Sequence, residues 1–211
     1  MKVLVACEYS GVVRDSFTNL GHDAWSCDIL PTETKGNHIQ DDVLKHLDKG
    51  WDLLIAHPPC TYLSRAGARW LYPKAGQLDQ DRYEKGLKGK EFFMALYNAP
   101  IKKIAVENPT PFKIFNLPKP TQIVQPYEYG HSFSKRTLLW LKNLPQLIPT
   151  DIVKKYKPLL PSNTGGKKRG QKSSSGFVHN AKDASKTFNG IAKAMAKQWS
   201  KEIKNVSYHK H

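Results

Sequence analysis

Trp51-Asp52-Leu53-Leu54-Ile55-Ala56-His57-Pro58-Pro59-Cys60 runs from an unbroken apolar stretch straight into two prolines and a cysteine. A short apolar run closed by prolines predicts a buried strand over 52–57, of the kind found in parallel sheets covered on both faces. The two prolines fix φ and stiffen the turn that follows. A stiff turn at a strand's end holds a reactive side chain still, and a core cysteine needs no such frame. Cys60 is therefore a candidate nucleophile, with a buried structural thiol as the plain alternative.

Working outward, "KVLVAC" (2–7) predicts a buried first strand, and "GVVRDSFTNLG" a helix stopped by Gly21. "HDAWSCDIL" (22–30) predicts the next strand, and "DDVLKHL" (41–47) one or two helical turns. A helix is expected over 77–98, weakened by Gly86 and Gly89. "KKIAVEN" (102–108), "TQIVQP" and "RTLLWLKN" predict three more strands. Strands alternating with helical segments imply an α/β sandwich paired in parallel through right-handed crossovers. Near the end, Phe188, Ile191, Met195, Trp199 and Ile203 form an apolar stripe on a helix whose other face carries lysines.

The 211 residues suit one domain with a small appendage, and the net charge is +15. Residues 1–148 read as the core and 187–205 as a helix docking back on it. Between them, 149–186 is a basic stretch rich in Gly, Ser and Lys, an arm or minimal recognition insertion. The excess of cations from Lys154 onward points to a polyanionic partner, most simply nucleic acid; a solubilising tail is the alternative. In that arm Lys167, Lys168, Arg169 and Lys172 are candidate phosphate contacts. Cys7, Cys27 and Cys60 form no close pair, which argues against a disulfide framework and against a metal site. No apolar run is long enough for a membrane span, and the N-terminus lacks the pattern of a signal peptide, so a cytoplasmic protein is expected.

In a doubly wound sheet, ligands sit at the carboxyl ends of the strands. Glu8, Ser10, Gly11, Asp28, His57, Cys60, Glu107 and Asn108 would all stand there. With these residues in place, the chain resembles a DNA cytosine-5 methyltransferase. Pro58-Pro59-Cys60 and Glu107-Asn108-Pro109 are similar to that family's Pro-Pro-Cys and Glu-Asn-Val. The Cys7-to-Phe17 stretch followed by "GHDAWSCDI" resembles its cofactor loop and second strand, and "GNHIQDDVL" its adenine-contacting segment. "TFNGIAKAMAKQW" resembles its final helix. The likeness covers roughly 1–145 and 185–203, and the small size resembles that of phage-encoded enzymes.

The resemblance implies a Rossmann-like S-adenosylmethionine-dependent methyltransferase sheet with helices on both faces. It implies methyl transfer to carbon 5 of cytosine in DNA, through a covalent cysteine adduct. Carbon 5 is a poor nucleophile until a thiolate adds at carbon 6, and that is Cys60's implied role. Glu107 would act at N3, with a pKa raised in a closed pocket; Asn108 and Pro59 would shape the catalytic turn. Asp28 would take the ribose hydroxyls and Asp42 the adenine, although Asp42 also reads as a helix N-cap. Glu8, Ser10, Gly11 and Pro58 complete the implied cofactor contacts. His57 reads as a structural hydrogen-bonding residue.

The chain departs from the family in four places, and in one of them only the basic stretch around 150–185 stands where the family has a target-recognition region of substantial size. Gly11 is the only glycine of the cofactor loop, Phe133-Ser134-Lys135-Arg136-Thr137 stands where Gln-x-Arg-x-Arg is usual, and the final helix opens Asn189-Gly190. Lys135 and Arg136 keep the basic character and are candidate nucleic-acid contacts. Two other readings stay open. Exocyclic-amino methylation would call for a polar residue where His57 stands and an aromatic at Cys60. A non-catalytic nucleic-acid-binding or anti-defence protein on a decayed methyltransferase scaffold would explain the reduced loop and small arm.

Overall fold

The computed structural model describes residues 1–159 and 186–200. The strands are β1 (Lys2–Ala6), β2 (Asp23–Asp28), β3 (His38–Gln40), β4 (Leu53–Ala56), β5 (Lys103–Asn108), β6 (Gln122–Val124), β7 (Phe133–Ser134), β8 (Thr137–Lys142) and β9 (Lys157–Pro158). The helices are α1 (Val12–Thr18), α2 (Ala68–Leu71), α3 (Gln80–Tyr97) and α4 (Asn189–Trp199). Seven strands form one sheet in the order β3-β2-β1-β4-β5-β8-β6, and β7 pairs with β9 in a separate ribbon.

The fold is the expected Rossmann-like α/β sheet with helices on both faces. Odd and even residues of its strands point to opposite faces. Val3, Val5, Leu53 and Ile55 pack in one cluster with Val13 and Phe17 of α1 and with Ile191, Met195 and Trp199 of α4. Leu4, Ala6, Leu54 and Ala56 pack in the other, with Phe93 and Leu96 of α3 and with Trp140. All of these strand residues are fully buried, which is why "LLIA" needs no polar alternation.

The all-parallel expectation is corrected at one strand. β8 runs antiparallel to both β5 and β6. Parallel pairing is usually made through a crossover helix, and the chain from β6 to β8 holds only a 3-10 turn at Pro126–Glu128 and the two-residue β7. The pairs β1–β2, β1–β4, β2–β3 and β4–β5 are parallel.

Sequence reasoning passed over β3, β7, β9, α2 and the 3-10 turn at Arg65–Gly67. All are only two to four residues long, too short for periodicity to register. The 41–47 segment is a 3-10 turn over Val43–His46, capped by Asp42, whose carboxylate accepts the Leu44 amide at 3.0 Å. Gly86, which reads as a weak point of α3, has a packing reason: a Cβ there would overlap the Phe115 ring. The described start of the basic stretch is laid against the fold. The Val153 amide donates to the Tyr127 carbonyl at 2.8 Å, and the Tyr127 and Tyr156 rings stack at 4.0 Å. Residues 160–185 of that stretch lie outside the described residues, as does Ile203 of the final stripe.

Candidate active site

The turn after β4 is braced from three sides. The Asn108 side-chain amide donates to the Pro58 carbonyl at 3.1 Å, tying the end of β5 to the proline pair. The amides of Leu63 and Ser64 donate to the Cys60 carbonyl. Arg82 of α3 donates from Nη2 to the Thr61 carbonyl at 2.9 Å. Pro58 is buried, Pro59 is exposed and Cys60 is half-buried.

β4 and β5 are neighbours, so their ends bring Cys60 and Glu107 to one place. Their electrostatics are shared. Burial pushes the Cys60 thiol up, the Glu107 charge pushes it further, and Lys135 pulls it back only in part. For Glu107 the sequence expectation of a raised pKa is corrected. Burial raises it, but the His57 hydrogen bond and the Lys135 charge outweigh burial and hold the carboxyl below its usual range. The His57 Nδ1 to Glu107 Oε2 distance is 3.2 Å. The opposite ring nitrogen, Nε2, and the Asn108 Oδ1 are buried with no hydrogen-bond partner among the described residues. Leaving such atoms unpaired costs free energy, and both flank the proline turn.

At the end of β1 the chain turns through Cys7 at φ 58° and Gly11 at φ 74°. Left-handed backbone is costly for a cysteine, and it aims the next residue at the start of α1. The Glu8 carboxylate accepts the amides of Val13 at 2.6 Å and Arg14 at 3.1 Å, satisfying donors a helix start leaves open. Burial raises the Glu8 pKa, opposed by His57 and by those two amides. Ser10 Oγ adds longer bonds, donating to Glu8 and accepting from Val12. A Cβ on Gly11 would overlap Thr34 and Arg14. Glu8, Ser10 and Gly11 therefore build the N-terminus of α1.

Arg14, which sequence reasoning missed, is fully buried. It donates to the Ser26 hydroxyl at 3.0 Å, to Thr32 at 3.2 Å and to the Lys35 carbonyl at 3.2 Å, fastening the loop after β2. Asp28 stands half-buried at the tip of β2, its Oδ1 accepting the Leu30 amide at 2.9 Å. Ile29 beside it is 74% exposed, an apolar surface next to a carboxylate at the carboxyl edge. Asp28 and Asp42 both raise the Cys7 thiol, after burial, which is the largest cause. The register sets Ala6 of β1 opposite Cys27 of β2, so Asp28 stands beside the end of β1.

Lys135 joins the Cys60–Glu107 group, whereas Arg136 is exposed. Lys167, Lys168, Arg169 and Lys172 lie outside the described residues. Glu107, Lys135 and Thr137 form one wall of a cleft, and Thr187, Phe188 and Ile191 at the start of α4 form the other. The segment from Thr187 was singled out by its resemblance to a final helix, but its meeting with Glu107 was not legible. The two lie about eighty residues apart in sequence, beyond the reach of local pattern.

No protein-family profile matches the chain, and no curated protein matches it. Among solved structures it is similar to an E. coli protein described as a "putative DNA modification methyltransferase encoded within prophage". Identity is 17%, the TM-score is 0.44, and the match covers 72% of this chain and 51% of that one. The chain spans about half the length of that protein.

Proposed function

We propose that the protein transfers a methyl group to carbon 5 of cytosine in DNA. The observation that carries this reading is the meeting of Cys60 and Glu107 at the ends of adjacent strands, beside a cationic Lys135. In the proposed reaction the Cys60 thiolate adds to carbon 6 of the base and the C6–S bond forms. Negative charge builds toward N3; Glu107, a carboxylate in the free protein, takes up a proton as the bound base desolvates it and gives that proton to N3. His57, bonded to Glu107, is the adjacent group from which that proton can be replaced. After carbon 5 takes the methyl group, solvent accepts the carbon-5 proton, N3 returns its proton to Glu107, and the C6–S bond breaks to free the Cys60 thiolate.

S-adenosylmethionine, the donor this reading calls for, supplies an electrophilic methyl on a sulfonium. Asp28 with the exposed Ile29 fits a ribose and an apolar ring, and Asp28 with Asp42 makes the end of β1 favourable to positive charge. Cys60 rests as a thiol in the free protein. A sulfonium alongside it, and protonation of Glu107 when the base covers it, would both favour the thiolate.

An oligonucleotide carrying 5-fluorocytosine tests the chemistry, because fluorine replaces the proton that must leave. The wild type is expected to form a denaturant-resistant adduct that requires S-adenosylmethionine, and Cys60→Ser to form none. Turnover by Cys60→Ala at the wild-type rate would sink the reading. One observation favours the decayed-scaffold alternative: Glu8, Ser10 and Gly11 are occupied in building α1. Calorimetry separates the two, since no heat at millimolar donor would support a non-catalytic nucleic-acid-binding protein.

A further inference from the structure

Two aromatic side chains stand exposed just beyond Cys60. Tyr62 is 38% exposed and Trp70 53% exposed. Each lies under a guanidinium: Arg82 is 5.0 Å from the Tyr62 ring centroid, and Arg69 is 4.7 Å from that of Trp70. Isolated surface aromatics are ordinary. These two differ in being paired with arginines and in being held outward. Each is followed by a buried leucine, Leu63 at 0% exposure and Leu71 at 2%, which fixes the backbone and directs the preceding ring to solvent. The backbone is further tied where the Phe112 amide donates to the Leu63 carbonyl at 2.7 Å and the Asp79 amide to the Leu71 carbonyl at 2.9 Å. From 58 to 78 the chain carries Arg65, Arg69 and Lys74 and no acid.

We propose that the 62–74 segment, tied to the start of α3 at both ends by Arg82 on the Thr61 carbonyl and Asp79 on the Leu71 carbonyl, is a stacking platform for single-stranded nucleic acid, with Tyr62 and Trp70 as its plates and Arg65, Arg69 and Lys74 as its phosphate contacts. The inference rests on the proposed function in one respect, that the strand lying on the platform is the one delivered to Cys60. Exposed ring faces accept unpaired bases of any sequence. A duplex keeps its bases stacked on one another and offers such rings only its backbone. The platform therefore assigns a strand form to the substrate: a base already unpaired, which needs no extrusion from a helix before Cys60 can reach it.

Fluorescence anisotropy with a labelled oligothymidylate of about 15 nucleotides tests this on the whole protein. The same strand annealed to oligoadenylate is the duplex arm, and oligouridylate is the RNA arm. Thymine and uracil strands contain no cytosine, so the binding read is independent of methyl transfer. The wild type is expected to prefer the single strand. Trp70→Ala is expected to weaken that binding by about 5- to 150-fold, the factor for losing one stacked base. Duplex binding, made through phosphates, should stay within about twofold. Trp70→Phe should retain most of the single-strand affinity, an outcome that a lost charge or a shifted backbone would not give. Equal weakening of both forms, no weakening, or no binding by the wild type would each overturn the platform. If the platform holds while the fluorocytosine adduct fails to form, the methyltransferase reading falls alone; the reverse pair of results removes the platform and leaves the chemistry.

Discussion

Glu107 and Cys60 share one neighbourhood with opposite consequences. The same Lys135 charge that keeps Glu107 ionised favours the Cys60 thiolate, while the Glu107 charge opposes it. The sign of a Glu107→Gln change follows. Removing a negative charge beside the thiol lowers its pKa, so more thiolate is present at neutral pH. Alkylation by iodoacetamide at Cys60 should become faster than in the wild type and reach its plateau at lower pH. Methyl transfer should fall at the same time, by about 10²–10⁴ for loss of a general acid. The combination is diagnostic: a structural carboxylate would not slow transfer while quickening alkylation. If transfer falls by less than about tenfold, the role at N3 is wrong.

At the scale of elements, the start of α4 decides how the cleft closes. The Gly190 amide donates to His131 Nε2 at 3.0 Å, and a Cβ on Gly190 would overlap the Tyr129 carbonyl. The order Asn189-Gly190 thus has a steric reason, because glycine is needed where the helix end meets backbone. Overlap with a carbonyl cannot be relieved by turning a side chain. Gly190→Ala should therefore move the helix end and destabilise the fold by about 1–3 kcal/mol, the usual cost of overpacking. Chemical denaturation reads this as a lower midpoint with an unchanged slope. A midpoint equal to that of the wild type would mean that α4 and the Tyr129–His131 segment are not held together as described. Phe188, two residues before this glycine, packs edge-on to His131 at 5.0 Å, so the same shift should disturb the cleft wall.

For the whole molecule the governing quantity is charge. A net +15 over 211 residues favours association with a polyanion and makes it sensitive to salt. Lys167, Lys168, Arg169 and Lys172 concentrate part of that charge in a stretch rich in glycine and serine. Contacts from such a stretch position a nucleic acid and carry no direct sequence information. Neutralising the four together should flatten the slope of log affinity against log salt by up to about 3–4 units on duplex DNA. Affinity should drop for all sequences alike, with the fluorocytosine adduct still forming at saturating DNA. An unchanged slope would assign the charge to solubility.

The buried strands were legible because burial on both faces leaves an unbroken apolar run, as in "KVLVA" and "LLIA", and that pattern is local. Cys60 at a strand end was legible for the same reason, since the proline pair marks where the run stops. Parallel pairing of the core strands followed from the alternation with helices. The direction of β8 did not, because "TLLWLK" is equally apolar whichever way it runs. Yet that direction shapes the site. Running antiparallel, β8 begins at the edge where β4 and β5 end, with Asn108 opposite Leu138, and so delivers Lys135 to Glu107 and Cys60. Pairing direction is settled by what the connections hold and by the packing of both faces, not by any one strand's composition. The ionisation of Glu107 is likewise a tertiary outcome. Its burial could be expected from sequence, but the His57 ring at 3.2 Å comes from a residue fifty positions away, and that contact with Lys135 reverses the effect of burial.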